Sequence, residues 1–354
     1  MNQPADQPLA SGEVVAVKPQ HSFDHGRLDA YLREHVPGYR GPMTVSQFEG
    51  GQSNPTFFVH TPARAYVLRR KPPGALVKSA HAVDREYRVL KALNHTTVPV
   101  PEALALCEDP DVIGTTFFVM EHVPGRVLAN AALPELAAEQ RAALVFDYID
   151  TLALLHAVDY QSLGLDDFGR AGNYFERQIS RWGRQYRETE TVAIPQMHRL
   201  LAWLESSVPA QQITSIVHGD YQFGNVLTHP TEPKVAAVLD WELSTIGDPL
   251  ADFTYFTGPW HAPAGERSLA NLNLDALGIP SYQAVLERYC TQLDRDDIGD
   301  ERFYRAFHAF RSGAILQGII RRALQGNNAG AMALTFTADN VRALAERGLD
   351  YIDS

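Results

Sequence analysis

The sequence predicts an α+β protein with a small antiparallel β lobe followed by a larger, mainly helical lobe. Short alternating apolar segments separated by Gly and Pro fill the region before Pro124, and segments of helical periodicity fill most of the remainder. Hydrophobic residues are 45% and charged residues 21%, which suits a globular chain with a sizeable core. We expect an N-terminal arm and helix over 1–40, the β lobe over 41–122 and the helical lobe over 123–354.

The β lobe is predicted element by element from its alternation. Residues 1–20 are expected to be a loose arm, and residues 24–34 to form a helix with Leu28, Tyr31 and Leu32 on one face. A second helix is expected over 79–93, with Ser79 as its N-cap. The strands are expected to form one five-stranded, mainly antiparallel sheet, over 43–48, 56–60, 65–70, 102–107 and 116–121.

The helical lobe is predicted from six periodic segments and three short apolar ones. Pro134 suits the first position of a long helix. The helices are expected over 134–158, 173–187, 195–206, 281–293, 301–325 and 337–352. The short strands between them are expected over 213–217, 226–227 and 235–239.

Composition excludes several classes of function. The formal net charge is −11, from 31 basic and 42 acidic residues, so a general nucleic-acid binder is not expected. No apolar run has the length of a membrane span or a signal peptide, so we expect no membrane partner. Cys107 and Cys290 lie in apolar stretches outside any CxxC pair, which favours a reducing, cytoplasmic location over a disulfide or thiolate-zinc protein.

The segment 216–227 carries the main chemical motif. An apolar strand end leads into His218-Gly219-Asp220, and Asn225 returns just before a second apolar pair. Phosphoryl transfer needs a proton acceptor and a metal ligand near the same phosphate, so Asp220 is the predicted catalytic base and Asn225 a predicted metal ligand. A buried Asp that satisfies a turn beside a structural Asn is the simpler alternative.

A second acidic motif ends the apolar segment 235–239. Asp240 follows that segment directly, and Glu242 lies two residues on. Mg²⁺ prefers oxygen ligands, so Asp240 is a predicted metal ligand and Glu242 an auxiliary one. Asp240 as a turn or cap residue is the alternative.

Other polar residues favour structural roles. His218 is expected to shape its loop rather than act as a base. Asp248 and Asp252 are expected to brace loops or cap a helix. The aromatic residues at 174, 182, 186, 203 and 260 suit either an acceptor pocket or the core.

These motifs together resemble the aminoglycoside phosphotransferase family, which shares the protein-kinase-like fold. The resemblance rests on His218-Gly-Asp220 with Asn225, on Asp240-Trp-Glu242, and on the segment 247–253. It covers nearly the whole chain from about Gly41. Segments 50–57, 66–74 and 81–88 are most similar to the kinase-like domain that precedes the dehydrogenase domain in some acyl-CoA dehydrogenases.

The resemblance implies a nucleotide site in the β lobe. A glycine-containing loop between the first two strands would cover the phosphates through its backbone N–H groups, and its residues are Gly50, Gly51, Gln52, Ser53 and Asn54. An ordinary hairpin is the alternative for this segment. The hinge would be 120–123, with main-chain groups of Glu121 and Val123 pairing with the purine.

The resemblance also implies a basic residue that grips the phosphates and pairs with an acid on the next helix. Position matching selects Arg69 with Glu86, although protein kinases use Lys at this place. Lys71, on the same side of the strand by alternation, is the second choice. A surface ion pair is the alternative for Arg69 and Glu86.

We therefore expect an ATP- and Mg²⁺-dependent phosphotransferase acting on the hydroxyl of a small molecule such as a hydroxyacyl-CoA. The acceptor site is expected from residues 173–206 and 255–345. Two alternative functions stay open, a catalytically weak, pseudokinase-type nucleotide-binding module and an aminoglycoside-modifying kinase. A metal-dependent hydrolase using Asp220, Asp240 and Glu242 is a weaker alternative. The sequence does not determine whether the nucleotide is ATP or GTP, nor does it determine the oligomeric state.

Overall fold

Two lobes form the architecture of this computed structural model, which describes residues 14–49, 54–72, 82–263, 268–325 and 335–353. A sheet of six strands, with a helix on each face, makes the smaller lobe. Helices and two small strand ladders make the larger one. The predicted α+β, two-lobed class is confirmed.

The sheet of the small lobe is antiparallel at every strand pair, in the order β1-β2-β3-β4-β6-β5. Its strands are β1 Val14–Val15, β2 Thr44–Phe48, β3 Thr56–His60, β4 Ala65–Arg70, β5 Ala103–Cys107 and β6 Phe117–Glu121. The predicted sheet of five strands is one strand short, because part of the N-terminal arm forms β1 beside β2. Val14 pairs with Phe48, and a two-residue strand is too short to show alternation in sequence.

Each face of this sheet is covered by a helix. Helix α1, His25–His35, begins at Asp24, whose side chain accepts from two backbone N–H groups, and it buries Leu28 and Leu32. Helix α2, Val83–Leu93, covers the other face and buries its own apolar stripe together with Glu86. Ala82 is the N-cap of α2, and the predicted cap Ser79 lies outside the described residues. A short helix α3, Pro110–Ile113, precedes β6.

The helical lobe contains the predicted helices, with bounds close to those expected, and three short ones that were missed. The long helix begins at Ala138 rather than Pro134, because residues 133–136 form a turn closed by the Leu136 N–H and the Leu133 carbonyl at 3.1 Å. The helices are α4 Ala138–His156, α5 Tyr174–Thr189, α6 Pro195–Ser206, α7 Leu250–Phe256, α8 Gly258–His261, α9 Leu274–Leu277, α10 Tyr282–Gln292, α11 Glu301–Leu324 and α12 Ala338–Asp353. Within the described ranges, no helix combines the length and apolarity that crossing a bilayer requires.

Two small ladders lie between the lobes' helices and carry the functional loops. One has the order β10-β9-β7 and the other pairs β11 with β8, all antiparallel. Their strands are β7 Arg126–Val127, β8 Ser215–Val217, β9 Val226–Thr228, β10 Val235–Val238 and β11 Thr245–Gly247. Both β7 and β11 were missed, because strands of two and three residues give no readable period. Buried strands β8, β9 and β10 fix the positions at which the loops of Asp220, Asn225 and Asp240 begin and end.

Candidate active site

The loop that follows β8 depends on a glycine. Gly219 has φ of +85°, and a Cβ there would lie 2.7 Å from the Leu243 carbonyl oxygen. Both the left-handed backbone and the close approach exclude a side chain. The turn places Asp220 immediately after the buried strand, where it is bonded to Asn225, a residue that lines the cleft.

Asp252 braces this loop from beneath. Its carboxylate accepts from the backbone N–H of His218 at 2.6 Å and of Gly219 at 2.8 Å. Burial alone would raise the pKa of Asp252, but His156, then the nearby His218 and the Gly219 N–H, hold it below its usual range. The His218 ring bonds the Leu239 carbonyl at 2.9 Å, so it joins two loops. The interpretation of His218 and Asp252 as bracing residues is confirmed.

Asp248 also has the structural position expected of it. Its Oδ1 accepts from the backbone N–H of Leu250 at 3.0 Å, at the start of α7. Burial raises the pKa of Asp248 to about 6. Asp248 therefore braces the turn before α7, as expected, but the N-cap of that helix is Pro249.

The Asp220 carboxylate is held by two amides. Asn225 Nδ2 donates to Oδ2 at 2.7 Å and to the Asp220 carbonyl at 2.9 Å, while Gln222 Nε2 donates to Oδ1 at 3.0 Å. Burial raises the pKa of Asp220, and the neighbouring His218 and the Asn225 hydrogen bond oppose that shift. A carboxylate that is fixed in this way, and whose pKa is raised, is suited to accept a proton.

Asn225 and Asp240 are brought together by their backbones. The Leu239 N–H donates to the Asn225 carbonyl at 2.8 Å, one residue before Asp240. Asp240 itself has φ of +66° and lies two residues after the end of β10. Both side chains line one cavity between the lobes.

A magnesium ion fits the chemistry of this pair. Because the amide NH₂ of Asn225 is used on Asp220, its oxygen is the atom that remains for a cation. Asp240 adds a carboxylate that is about a third exposed, 36%, toward the cleft. Among the described residues, no group of three or more His, Cys, Asp or Glu side chains forms a metal cluster, so the fit rests on this mixed amide and carboxylate pair.

Arg69 of β4 joins the two lobes. Its Nε lies 3.0 Å from Glu86 of α2, and its Nη2 lies 2.7 Å from Asp240 and 3.2 Å from Glu242. Glu86 is only 2% exposed, and burial raises its pKa to about 7 although the Arg69 charge opposes the shift. The predicted ion pair of Arg69 and Glu86 is present, and the contact of Arg69 with Asp240 was not foreseen.

The remaining phosphate-loop predictions are placed only in part. Lys71 pairs with Asp84 at 3.1 Å, away from the carboxylates around Arg69. Asn54 is buried, and its Nδ2 donates to Glu242 at 3.4 Å. Gly50, Gly51, Gln52 and Ser53 lie outside the described residues.

The cavity between the lobes has a volume of about 270 Å³. Its apolar walls come from both lobes, by Val67, Leu90, Met120, Val127, Leu227 and Val238. Glu121, His122 and Val123 form one edge. The Glu121 N–H already donates to the Glu102 carbonyl at 2.9 Å, so a purine could use the Glu121 carbonyl but not its N–H without breaking that bond.

A second cavity, of about 450 Å³, adjoins the first at Gly224 and Asn225. Its walls come from α7, α8, α11 and α12, so the expected acceptor region 255–345 contributes, whereas none of the described lining residues comes from 173–206. The aromatic residues proposed at 174, 182, 186, 203 and 260 are not in the lining. Polar lining residues that were missed are Tyr255, His261, Arg305, His308, Arg347 and Tyr351. Their only trace in the sequence is helical spacing, which does not say which face meets a cavity.

Fold and geometry together define the class of a kinase-fold phosphotransferase, and comparison with known proteins agrees. The family model described as "Phosphotransferase enzyme family" matches residues 44–288. This chain belongs to that family. The roles assigned above to individual residues stay predictions.

Relatives and solved structures extend the comparison. The chain is 41% identical over 348 residues to acyl-CoA dehydrogenase family member 11 of Rattus norvegicus, covering 95% of this chain and 44% of that protein. It therefore spans less than half of that relative. A solved protein of Ralstonia eutropha, provisionally named an aminoglycoside phosphotransferase, is 46% identical with a TM-score of 0.86, covering 94% of this chain and 99% of that one.

A more distant solved structure shares the fold alone. It is a thermostable mutant of aminoglycoside phosphotransferase APH(4)-Ia in a ternary complex with AMP-PNP and hygromycin B. The identity is 18% and the TM-score 0.57, with 92% of this chain and 97% of that chain covered.

Proposed function

We propose that this protein transfers the γ-phosphate of ATP to a hydroxyl group of a small metabolite, with Mg²⁺ as the cofactor. The observation that carries the proposal is the junction of the two cavities. Asn225 lines both of them, and it is bonded to Asp220 through its side chain and to Leu239, beside Asp240, through its carbonyl. A nucleotide in one cavity and an acceptor in the other would meet there.

Asp220 is the proposed proton acceptor. The acceptor hydroxyl oxygen forms a bond to the γ-phosphorus as the bond from that phosphorus to the bridging oxygen of ADP breaks, and the hydroxyl proton passes to Asp220. Asn225 and Gln222 hold the two carboxylate oxygens in place during this step. Its raised pKa makes Asp220 a better base at neutral pH than an ordinary carboxylate.

The cation and the phosphates are assigned to the other side of the cleft. Asn225 and Asp240 are the proposed ligands of Mg²⁺, with Glu242 as an auxiliary ligand. When it is bound, the ion would neutralise part of the negative charge of the phosphates. Arg69 is the proposed grip on the phosphates, since its guanidinium already lies among the carboxylates of this wall.

The nucleotide would place its purine between the apolar walls of the smaller cavity. The backbone of Glu121 and Val123 forms the polar edge beside those walls. The nucleotide in the distant APH(4)-Ia complex is AMP-PNP, and that in another distant neighbour, APH(2")-IIia, is GDP, so ATP is to be tested side by side with GTP.

A hydroxyacyl-CoA is the proposed acceptor. Support comes from the name of the rat relative, an acyl-CoA dehydrogenase family member in which the matched region accounts for 44% of the length. Enzymes joined in one chain commonly act on related substrates, so a thioester of a hydroxy acid is the first acceptor to test. Aminoglycosides form the comparison set, because a distant solved neighbour was found with hygromycin B.

The test is a phosphate-transfer screen with purified protein, ATP and Mg²⁺, in which ADP and the phosphorylated acceptor are both measured. Asp220→Asn should lower turnover by roughly 10²- to 10⁴-fold, the usual contribution of a general base, with nucleotide affinity nearly unchanged. Asp296→Asn, at an exposed position, is the matched control and should keep full activity. Phosphate transfer at the normal rate by the Asp220→Asn protein would refute the assignment.

A second candidate is a nucleotide-binding module without catalysis. The contact that favours it is the 2.7 Å bond of Arg69 to Asp240, which occupies a carboxylate that the cation would need. Nucleotide binding by calorimetry, together with no acceptor-dependent ADP from any compound in the screen, would select this candidate.

A further inference from the structure

The described lining of the larger cavity contains basic side chains and no carboxylate. Arg305 and Arg347 line it, and none of its described lining residues is Asp or Glu. His261 and His308 do not add charge near neutral pH, because burial lowers the pKa of His261 to about 4 and that of His308 to about 3. A polycationic acceptor would meet like charge here, whereas an anion would be attracted.

Arg347 is the less neutralised of the two arginines. No carboxylate lies within ion-pair distance of it in the described part of the chain, and its Nε is buried without a hydrogen-bond partner there. A guanidinium nitrogen without a partner at a cavity wall carries a desolvation cost that an anionic ligand would remove. It lies on α12, one turn before Tyr351.

Arg305 is held in position rather than free. It pairs with Glu301, one turn earlier on α11, and its Nη2 lies 3.0 Å from His261 Nε2. The Tyr351 hydroxyl donates to the His261 carbonyl at 3.0 Å, so α8, α11 and α12 meet around these side chains. Arg305 therefore contributes a fixed, partly compensated charge beside the uncompensated Arg347.

We propose that the larger cavity selects an acceptor bearing a carboxylate or phosphate group, and that Arg347, assisted by Arg305, binds this group while the hydroxyl points toward Asn225 and Asp220. The inference rests on the proposed phosphotransferase function and adds the residues that determine acceptor specificity. It also explains how this chain would exclude cationic acceptors such as aminoglycosides, through like charge at the wall.

The anionic group has two possible sources, the phosphates of a CoA moiety or the carboxylate of a free hydroxy acid. One hydroxyacyl group presented in three forms separates them. The forms are its CoA thioester, its uncharged N-acetylcysteamine thioester and the free acid. Acceptor KM from ADP release and acceptor affinity from calorimetry are measured for each form.

The variants are Arg347→Met and Arg347→Lys, with Arg342→Met as the control. Methionine keeps the apolar stem, and lysine keeps the charge without the planar fork. Arg342 lies on the same helix and pairs with Asp339 at the surface. Arg347→Met should raise KM for the preferred anionic form roughly 10- to 100-fold, in line with a charged hydrogen bond, and Arg347→Lys should restore part of the loss.

Several results would overturn the inference while leaving the proposed function intact. One is equal KM for the CoA, free-acid and uncharged forms in the unaltered protein. Another is an Arg347→Met protein whose acceptor KM is unchanged. If KM for ATP rises as much as KM for the acceptor, a general structural defect explains the effect and the inference is again overturned.

Failure of the proposed function would look different. No acceptor-dependent ADP from any form would refute the phosphotransferase, and calorimetry would still decide the binding inference. Tighter binding of an anionic form than of the uncharged thioester, lost in Arg347→Met and kept in Arg342→Met, supports it. Equal binding of charged and uncharged forms, or no binding of either, overturns it.

Discussion

Replacing Arg69 with methionine tests the charge arrangement at the join of the lobes. The substitution removes the guanidinium that contacts Glu86, Asp240 and Glu242 and leaves three carboxylates on the same wall. Glu86 is the most affected, since it is only 2% exposed. The Asp240 and Glu242 contacts are more exposed, so together they contribute about 1 kcal/mol after solvent screening.

The magnitude for Glu86 depends on pH. With Arg69 present, burial raises the pKa of Glu86 from 4.5 to about 7. A group with a raised folded-state pKa loses its stability contribution as pH rises from the unfolded value to the folded one. Removing Arg69 raises that pKa further, so the loss continues above pH 7 in the variant only. At about 1.4 kcal/mol per pH unit, the variant should lose about 3 kcal/mol more than the original protein between pH 7 and 9.

The assay is urea unfolding followed by tryptophan fluorescence at pH 6, 7, 8 and 9. We expect Arg69→Met to be about 1 kcal/mol less stable at pH 6 and about 4 kcal/mol less stable at pH 9, which is the usual cost of breaking a buried ion pair. The double variant Arg69→Met with Glu86→Gln is the control and should lose the extra pH dependence. A stability difference that stays constant from pH 6 to pH 9 would refute the reasoning.

Three further predictions follow from single contacts. Arg85→Met removes a 2.5 Å hydrogen bond from α2 to the Phe168 carbonyl and a cation–π contact with the Phe168 ring. Because α2 also carries Glu86, the partner of Arg69, KM for ATP should rise several-fold while acceptor KM stays constant in steady-state assays. Gly219→Ala should lower the free energy of unfolding by about 1–3 kcal/mol and should also lower kcat, because φ of residue 219 is +85° and the new Cβ would lie 2.7 Å from the Leu243 carbonyl oxygen. An unchanged free energy of unfolding would contradict this prediction. Burial lowers the pKa of His308 from 6.5 to about 3, so below pH 6.5 the unfolded chain binds a proton that the folded protein does not. The free energy of unfolding should therefore fall below pH 6.5 by up to about 1.4 kcal/mol per pH unit. His308→Gln should flatten that slope in thermal melts from pH 7 to pH 5.

Local patterns predicted much of the fold. Strands β3 and β4 and helix α6 have the bounds that alternation and helical period gave, because each buries one regular face. Strand β1 and the three short helices α7 to α9 were missed, since a strand of two residues and helices of four to seven residues each contain less than two periods of their own pattern. Their conformation is set by contacts made after the chain has folded.

The candidate site was predictable where neighbours in sequence are neighbours in space. Asp220 and Asn225 are five residues apart, and a tight loop joins their side chains. The contact of Arg69 with Asp240 spans 171 residues, and no local pattern specifies it. Arg347 and Arg305 face a cavity only because their helices pack together, and no local pattern in the sequence marks them.

The central claim is that Asn225 and Asp240 hold one divalent cation beside Asp220. Anomalous diffraction from crystals grown with Mn²⁺ and AMP-PNP measures this directly. The account predicts one manganese peak about 2.1 Å from the Asn225 side-chain oxygen and from an Asp240 oxygen, with Arg69 moved onto the phosphates. A nucleotide-bound structure in which manganese lies elsewhere and Asp240 keeps its bond to Arg69 would contradict it.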